Sequence, residues 1–231
     1  RLGYDGPKGT LSVSPIKQKP LFQLFAEQIL GISEKYEVVI PWYVMCSPLN
    51  LKATVSHFEE QKYYGLGQGN LKFFAQGVMP ATDFEGNLLL ASHDSLALSP
   101  NGHGGSLKAL IDSGSVADMA ERGIEHVSYF QVDNPLVSVI NPLLIGLHDL
   151  QRSDMSSRSL TKTGPFEKLG NFVSIGDRVT IIEYSDLPEE KALETDEDGR
   201  IKYRAGSPAI HVLRRDFIEQ FASGEIKLPY H

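Results

Sequence analysis

Apolar residues recur along this chain at two spacings, one typical of strands and one typical of helices. Residues 38–45 form a nearly continuous apolar run, which predicts a strand with both faces covered, although Pro41 cannot donate a hydrogen bond to a sheet. Residues 20–30 place apolar side chains on one helical face, with Gly31 as the expected end of the helix. Further strands are predicted at 71–74, 126–132, 172–175 and 179–184, and further helices at 51–61, 106–122 and 142–150.

The order of these elements indicates the fold class. Strands alternate with helices over most of the chain, so we expect an α/β fold with a mainly parallel, doubly wound sheet. From residue 165 onward, short strands and polar turns predict a more antiparallel part, in which the acidic residues 189–198 form a solvated loop or hairpin edge. No internal repeat or linker interrupts the pattern, so residues 1–231 are predicted to form one continuous domain.

Composition narrows the classes of function. The hydrophobic share of 41% can supply a sizeable core, and the net charge of -7 argues against a surface that coats nucleic acid. We expect no membrane association, because no stretch approaches the ~20 consecutive apolar residues of a bilayer span and no signal peptide is recognisable. The single cysteine, Cys46, is expected to be a small buried hydrophobe. These features predict a soluble, cytoplasmic protein, and they leave a small-molecule function open.

Two glycine-rich segments are candidates for binding phosphates or a base. The first carries Gly3, Gly6 and Gly9 beside Arg1 and Lys8 and could cradle phosphates, although such spacing more often marks a plain turn. The second, residues 100–106, leads three glycines into a predicted helix, where backbone N–H groups favour an anion or a flat base. His103 in this segment could hydrogen-bond a ligand or be merely exposed or structural.

Two carboxylates follow apolar runs. Asp133 ends the predicted strand at 126–132, at the edge where open α/β sheets bind ligands, and it is the candidate ligand for Mg²⁺. The alternative is that Asp133 caps the following turn. Glu183 could accept hydrogen bonds from sugar hydroxyls or be an ordinary surface carboxylate. The sequence has neither a Ser–His–Asp pattern nor paired cysteines, so covalent catalysis and zinc chemistry have little support.

Short motifs recur in a fixed order along almost the whole chain. They are Arg1-Leu2-Gly3 with Pro7-Lys8-Gly9, Pro41-Trp42-Tyr43-Val44-Met45, Tyr64-Gly65-Leu66, Phe73 to Ala81, Pro100-Asn101-Gly102 with Gly104-Gly105, Val132-Asp133-Asn134, Asn141-Pro142 with Gly146, Lys162-Thr163, Glu183-Tyr184-Ser185, and Gly206 with Ala209 and His211. Each motif alone is a weak signal. In this order, the chain resembles the UDP-sugar pyrophosphorylase family, most closely its UDP-N-acetylglucosamine (N-acetylhexosamine) branch.

The resemblance implies a Rossmann-like mixed sheet of the nucleotide-diphospho-sugar transferase type and assigns roles to residues. UTP and a sugar 1-phosphate would be the substrates and a UDP-sugar the product, with Mg²⁺ as the cofactor. Arg1 and Lys8 would contact the triphosphate or the departing pyrophosphate, and Asp133 would hold Mg²⁺. Gln76 and Gly102, with His103 beside them, would form the nucleotide-binding part. The sugar side would be lined by Asn134, Gly170, Glu183 and Ser207.

Such a site needs no protein nucleophile. The sugar 1-phosphate oxygen would attack the α-phosphorus of UTP in line, and positioning together with charge neutralisation would supply the catalysis.

Two departures from the N-acetylglucosamine branch leave the sugar open. His103 stands where that branch usually has Asn, and resembles the Gly-His-Gly of UDP-glucose pyrophosphorylases. Ser207 stands where the branch usually has Asn and reaches less far toward an acetamido group. A UDP-glucose or broader UDP-sugar pyrophosphorylase is therefore the nearest alternative. The resemblance also implies a longer enzyme, truncated here at both ends.

Two further hypotheses come from other classes of protein. The chain could bind nucleotide sugars without turnover, which predicts UDP-sugar binding with no pyrophosphate exchange. A glycosyltransferase is a weaker reading, since those enzymes share the fold style and often place a metal-binding Asp similarly; release of UDP to a sugar acceptor would distinguish it.

Overall fold

The structure is a computed structural model that describes residues 4, 6–102 and 104–221. The chain divides into two compact units. Unit 1 contains the described residues of Arg1–Val127, Val132–Asn141 and Arg214–His231. Unit 2 contains Ser128–Gln131 and Pro142–Leu213.

Unit 1 alternates helices with short strands. Its α-helices are α1 (Leu21–Tyr36), α2 (Leu51–Glu60), α3 (Gly105–Asp112), α4 (Ser115–Glu121) and α7 (Arg215–Gln220). Its strands are β1 (Trp42–Cys46), β2 (Leu71–Ala75), β3 (Val78–Pro80), β4 (Leu90–Ser92), β5 (Ser95–Leu96) and β6 (Leu98–Pro100). Single 3₁₀ turns cover Lys8–Thr10, Lys62–Gly65 and Gln68–Asn70.

Unit 2 is richer in short strands. Its α-helices are α5 (Pro142–Leu150) and α6 (Glu189–Ala192). Its strands are β8 (Met155–Ser157), β9 (Leu160–Thr161), β10 (Gly170–Ile175), β11 (Arg178–Ile182) and β12 (Ala205–Ser207), together with most of β13 (His211–Arg214) and the end of β7 (His126–Tyr129). Two sheets result, with strand orders β11–β10–β12–β9 and β7–β13–β8.

The described strand pairings are mixed in direction. β1 and β2 are parallel, with Trp42 opposite Leu71 and Cys46 opposite Ala75. The other six pairings with a described register are antiparallel. An α/β fold with an antiparallel C-terminal part is therefore confirmed, while a mainly parallel Rossmann-like core remains a prediction.

Several predicted boundaries were wrong for local reasons. The strand expected from residue 38 begins only at Trp42, because Pro41 cannot join a sheet ladder, and Val38 and Val39 are exposed. The helix expected at 106–122 is two helices, since Gly114 adopts a left-handed φ of 68° that a helix does not contain.

Helix α1 continues past the expected stop at Gly31 and ends where Glu37 adopts a left-handed conformation. A glycine inside a helix costs only about 1 kcal/mol, and the buried residues from Leu21 to Ile29 already anchor this helix. In unit 2, the acidic stretch expected to be a loop or hairpin edge begins with α6, whose Ala192 is buried, and continues to Thr195, which forms an antiparallel bridge with Ile201.

An aromatic cluster forms the core around the parallel strands of unit 1. Phe58 is fully buried, and its ring centroid lies 4.8 Å from that of Phe22, 5.5 Å from that of Trp42 and 5.0 Å from that of Phe73. These rings come from α1, β1, α2 and β2, so their packing holds the two strands against the two helices. Cys46 lies buried in the same cluster, as expected, and burial raises the pKa of its thiol.

A polar contact fixes β1 from its other side. The Tyr43 hydroxyl donates a 2.5 Å hydrogen bond to Oδ2 of Asp118 on α4. Burial, followed by this bond, raises the pKa of Tyr43. The same carboxylate oxygen accepts from Nε of Arg122, which reaches on to the carbonyl of Gly69 just before β2.

Among the described helices, none is long and apolar enough to cross a membrane.

Candidate functional site

Lys8 and Asp133 lie far apart in the sequence and adjacent in unit 1. Nζ of Lys8 is 3.5 Å from Oδ2 of Asp133, and the two side chains are 46% and 44% exposed. An ion pair this exposed contributes little to stability, because water competes for both charges. Both charged groups are accessible to a ligand, which is what a phosphate-binding cation and a metal-binding carboxylate require.

Gly9 explains how Lys8 is held in place. Gly9 is buried, and a β-carbon built on it would overlap the ring of Phe22 on α1. Only glycine allows the turn at Lys8–Thr10 to approach the helix this closely. The close approach at this glycine is to an aromatic ring, and the binding of phosphates by this loop stays a prediction.

The turn after Asp133 is stabilised by its neighbour. Oδ1 of Asn134 accepts a hydrogen bond from the backbone N–H of Leu136 at 3.2 Å. Asp133 itself sits in this turn, four residues beyond the end of β7, and pairs with Lys8. The alternative role foreseen for Asp133, capping the turn, thus belongs to Asn134. The predicted strand to Val132 was too long, and Val132 packs against the core instead.

Gln76 and Gly102, the two residues predicted to bind the nucleotide base, are in direct contact. Gln76 follows β2, and its backbone N–H donates to the carbonyl of Cys46 at the end of β1. Its Nε2 donates to the carbonyl of Gly102 at 3.0 Å. The loop before α3 is therefore tied to the carboxyl ends of the two parallel strands.

Asn101 was part of a motif but received no role from the sequence. Its side chain fills the space beside two glycines: a β-carbon on Gly77 would lie 2.5 Å from Nδ2 of Asn101, and one on Gly105 would overlap its amide. The backbone N–H of Asn101 also donates to the carbonyl of Gly77. Asn101 therefore shapes the loop that carries Gly102. The pair of flanking glycines was the signal that could have revealed this.

Gly170, Glu183 and Ser207, all predicted for the sugar side, adjoin in unit 2. Gly170 on β10 is paired with Ser207 on β12. A β-carbon on Gly170 would lie 3.7 Å from Cβ of Ser207, 3.8 Å from Oε1 of Glu183 and only 2.8 Å from Cγ2 of Ile181. A side chain at position 170 would thus displace its neighbours. The Glu183 side chain is exposed next to this backbone, and the Ser207 hydroxyl accepts from the N–H of Ala209 at 3.4 Å.

A buried lysine lies within the same sheet of unit 2. Lys162 is 5% exposed, and its Nζ donates to Oδ1 of Asn171 at 2.7 Å and to the carbonyl of Pro165 at 3.1 Å. Asn171 is fully buried and donates in turn to the carbonyl of Ile182. The sequence included Lys162 in a motif without assigning it a function, and Asn171 was missed.

Few side chains in the described part of the chain are placed to bind a metal ion. No group of three or more His, Cys, Asp or Glu side chains comes together among these residues. Mg²⁺ fits a single carboxylate such as Asp133, because it keeps several waters and takes phosphate oxygens from a substrate. Two predicted residues, Arg1 and His103, lie outside the described residues.

Comparison with known proteins gives a consistent match. Residues 1–206 match the UTP–glucose-1-phosphate uridylyltransferase family. UDP-N-acetylglucosamine diphosphorylase 2 of Arabidopsis thaliana is 34% identical over 97% of this chain and 47% of its own length. UDP-N-acetylglucosamine pyrophosphorylase of Saccharomyces cerevisiae is 33% identical over 100% of this chain and 50% of its own length.

A solved structure agrees with these relatives. The UDP-N-acetylglucosamine pyrophosphorylase of Trypanosoma brucei, in complex with an inhibitor, has a TM-score of 0.85 and 25% identity. The match covers 97% of this chain and 47% of that one. The chain thus spans about half the length of the relatives it matches.

Proposed function

Because this chain belongs to the UTP–glucose-1-phosphate uridylyltransferase family, we propose that it is the core of an enzyme that joins UTP to N-acetylglucosamine 1-phosphate. The products are UDP-N-acetylglucosamine and pyrophosphate. The sugar assignment draws on the names of the relatives in yeast, Arabidopsis and Trypanosoma brucei.

The observation that carries this proposal is the pairing of Lys8 with Asp133. The fold brings a cation and a carboxylate to 3.5 Å from distant parts of unit 1, and both are about half exposed. Phosphoryl transfer requires such groups, since charge builds on the phosphate oxygens and the protein has little covalent chemistry to perform.

Unit 1 binds the nucleotide in this proposal. Gln76 and Gly102 lie in contact, and a side-chain amide beside a backbone amide can match the donor and acceptor pattern of a uracil edge. Lys8 binds the phosphates, and its positive charge offsets the charge that develops on the departing pyrophosphate. Arg1 is proposed to share this role and His103 to lie beside the base.

Unit 2 supplies sugar contacts. Glu183 accepts hydrogen bonds from sugar hydroxyls. Gly170 lines this side through its backbone, because Ile181, Ser207 and Glu183 already occupy the space that a side chain at position 170 would fill. Asn134 is proposed as a further sugar ligand, through the Nδ2 donor of its amide. The sugar 1-phosphate oxygen then attacks the α-phosphorus of UTP, the bond to the β-phosphate oxygen breaks, and pyrophosphate leaves.

We propose Mg²⁺ as the cofactor, with Asp133 as its ligand from the chain. When bound, the cation would neutralise charge on the phosphate oxygens. The proposal is supported by the accessible carboxylate of Asp133, which would attract the cation, and by the neighbouring ammonium of Lys8, which would attract the phosphate oxygens of a substrate.

Two finer points of the fold and location are also proposed. The parallel pair β1–β2 belongs to a Rossmann-like sheet, supported by the placement of Gln76 directly after β2. A cytoplasmic location is supported by the one cysteine, a buried free thiol typical of proteins in reducing compartments.

A glucose substrate is the second candidate, and Ser207 favours it. The Ser207 side chain is short, and its hydroxyl accepts a bond from Ala209, so it reaches less far toward an acetamido group than an asparagine would. A Ser207→Asn variant is expected to shift preference toward N-acetylglucosamine 1-phosphate.

The experiment offers the intact protein UTP with N-acetylglucosamine, glucose or galactose 1-phosphate and measures pyrophosphate release. We expect release to be fastest with N-acetylglucosamine 1-phosphate. Faster release with glucose 1-phosphate would support the second candidate. UDP-sugar binding without pyrophosphate release from UTP, whichever sugar 1-phosphate is offered, would contradict an enzymatic function.

A further inference from the structure

Lys162 is an unusual residue for the interior of unit 2. Its two hydrogen-bond acceptors, Asn171 Oδ1 and the Pro165 carbonyl, are neutral oxygens. Within the described residues no carboxylate oxygen lies within ion-pair distance of its Nζ, and the charge of Glu167 acts on it only from farther away. Burying an ammonium group without a counter-ion in contact costs free energy that an apolar side chain of similar length would not cost. Stability alone therefore does not explain a lysine at this position.

The contacts of Lys162 reach two strands of one sheet. Its backbone N–H donates to the carbonyl of Arg204, immediately before β12. Its methylene stem lies under β12 as well, since a β-carbon on Gly206 would be 3.1 Å from Cγ of Lys162. Its ammonium group holds Asn171 on β10. Lys162 thus connects β12 to β10 from within the unit.

Asn171 extends this connection to the residues proposed to bind the sugar. It is opposite Ile182 on one side and Gly206 on the other. Its side-chain Nδ2 donates to the Ile182 carbonyl at 3.2 Å. The neighbours of these residues along their strands are Gly170, Glu183 and Ser207. The buried amide therefore lies beside the three proposed sugar contacts that belong to unit 2.

We propose that Lys162 is a positioning residue for sugar recognition, acting through Asn171 to hold the strands that carry Gly170, Glu183 and Ser207. This inference rests on the proposed function and adds a residue that affects sugar binding without contacting the substrate. Lys162 orients the amide of Asn171, and the amide fixes the spacing of β10, β11 and β12. Loss of this spacing weakens sugar binding because hydrogen bonds to hydroxyls depend steeply on distance and angle.

The test is Lys162→Met in the intact protein, which keeps the length of the side chain and removes its charge and donors. We expect KM for the sugar 1-phosphate to rise about tenfold, while KM for UTP changes less than about twofold. Calorimetry should show the same split, with weaker UDP-sugar binding and unchanged UTP binding. Lys168→Met is the matched control, because Lys168 lines a small cavity together with Lys162 and Asn171 but is exposed and makes no described hydrogen bond.

A second variant distinguishes a loss of sugar positioning from a loss of folding. Lys162→Met combined with Asn171→Leu removes both buried polar groups, so no amide is left without a partner. It is expected to fold and to show the same rise in KM for the sugar. Equal losses for sugar and UTP, or unchanged sugar binding in both variants, would overturn the inference. Wild-type protein that binds neither UTP nor a UDP-sugar would overturn the proposed function as well.

Discussion

At the scale of single residues, origin in distant segments distinguishes the charges proposed to act on a ligand from an ordinary surface ion pair. Lys8 and Asp133 are 46% and 44% exposed, while the helical pair Lys108 and Asp112 is 70% and 58% exposed and has a shorter Nζ–Oδ2 distance of 2.9 Å. Distance therefore does not single out the functional pair. Lys8 and Asp133 differ from the helical pair in that they come from distant segments, and Gly9 packs the Lys8 turn against Phe22.

Asp133→Asn should reduce turnover about 100-fold while leaving UTP affinity within a few fold, because it removes charge from the proposed metal ligand and leaves Gln76 and Gly102 intact. Steady-state kinetics and calorimetry with UTP measure the two effects. Asp112→Asn, which removes a comparable exposed carboxylate, should leave both unchanged. Equal losses of turnover and UTP binding in Asp133→Asn would indicate a structural role for Asp133.

At the scale of elements, α2 combines a core residue with a titratable one. Phe58 fills the aromatic cluster, and the adjacent His57 places Nε2 2.6 Å from the hydroxyl of Tyr64. Burial lowers the pKa of His57 below its ordinary value of 6.5, and burial raises the pKa of Tyr64 to about 12. At neutral pH the histidine is uncharged, and its tautomer decides whether Nε2 or the tyrosine hydroxyl is the donor. Protonation of His57 leaves Nε2 only as a donor and places a charge in this partly buried contact, so the packing of α2 depends on pH.

His57 should make the free energy of unfolding depend on pH below neutrality. Because the pKa of His57 is lower in the folded protein, the unfolded chain binds the proton more tightly. The contribution of His57 to the free energy of unfolding is fully present above pH 6.5, and it is lost as the pH decreases through the folded pKa. Urea denaturation between pH 7.5 and about 5 measures this fall. His57→Gln should flatten it, whereas Tyr64→Phe should lower stability at neutral pH. Parallel curves for wild type and His57→Gln would contradict the assignment.

At the scale of the whole molecule, the proposed ligands divide between the two units. The described residues predicted for catalysis, the nucleotide and the metal all lie in unit 1; they are Lys8, Gln76, Gly102 and Asp133. Of the predicted sugar residues, Gly170, Glu183 and Ser207 lie in unit 2, and Asn134 lies in unit 1. Each unit has its own core or sheet, so a substitution in one unit should leave the binding residues of the other undisturbed.

Gln76→Ala and Glu183→Gln should therefore each raise KM for a different substrate. Gln76→Ala should raise KM for UTP and relax the choice of UTP over other nucleotides, with little change in KM for the sugar 1-phosphate. Glu183→Gln should raise KM for the sugar 1-phosphate about tenfold or more, because a hydrogen bond to a charged group contributes about 1.5–3 kcal/mol. Kinetics with both substrates varied check this division. Unchanged nucleotide choice in Gln76→Ala would mean that Gln76 does not read the base.

Local pattern was sufficient for much of the secondary structure and for the family. The helices at α1, α2 and α5 and the strand β2 follow the apolar spacing, because that spacing determines which face of an element can be buried. The strand boundary at Trp42 could also have been predicted, since the rule against Pro41 in a ladder is local. The ordered motifs identified the family and nominated Lys8, Gln76, Asp133 and Glu183.

Contacts between distant residues needed the tertiary structure. The direction of strand pairing, the Lys8–Asp133 pair and the Lys162–Asn171 bond each depend on how separate segments pack together. The number of residues between two segments does not tell how close they come in space. The sequence by itself therefore determined which elements form, which family the chain resembles and which residue types are available for chemistry. Only the tertiary structure decided which of these residues meet, because burial and hydrogen bonding depend on neighbours brought together by packing.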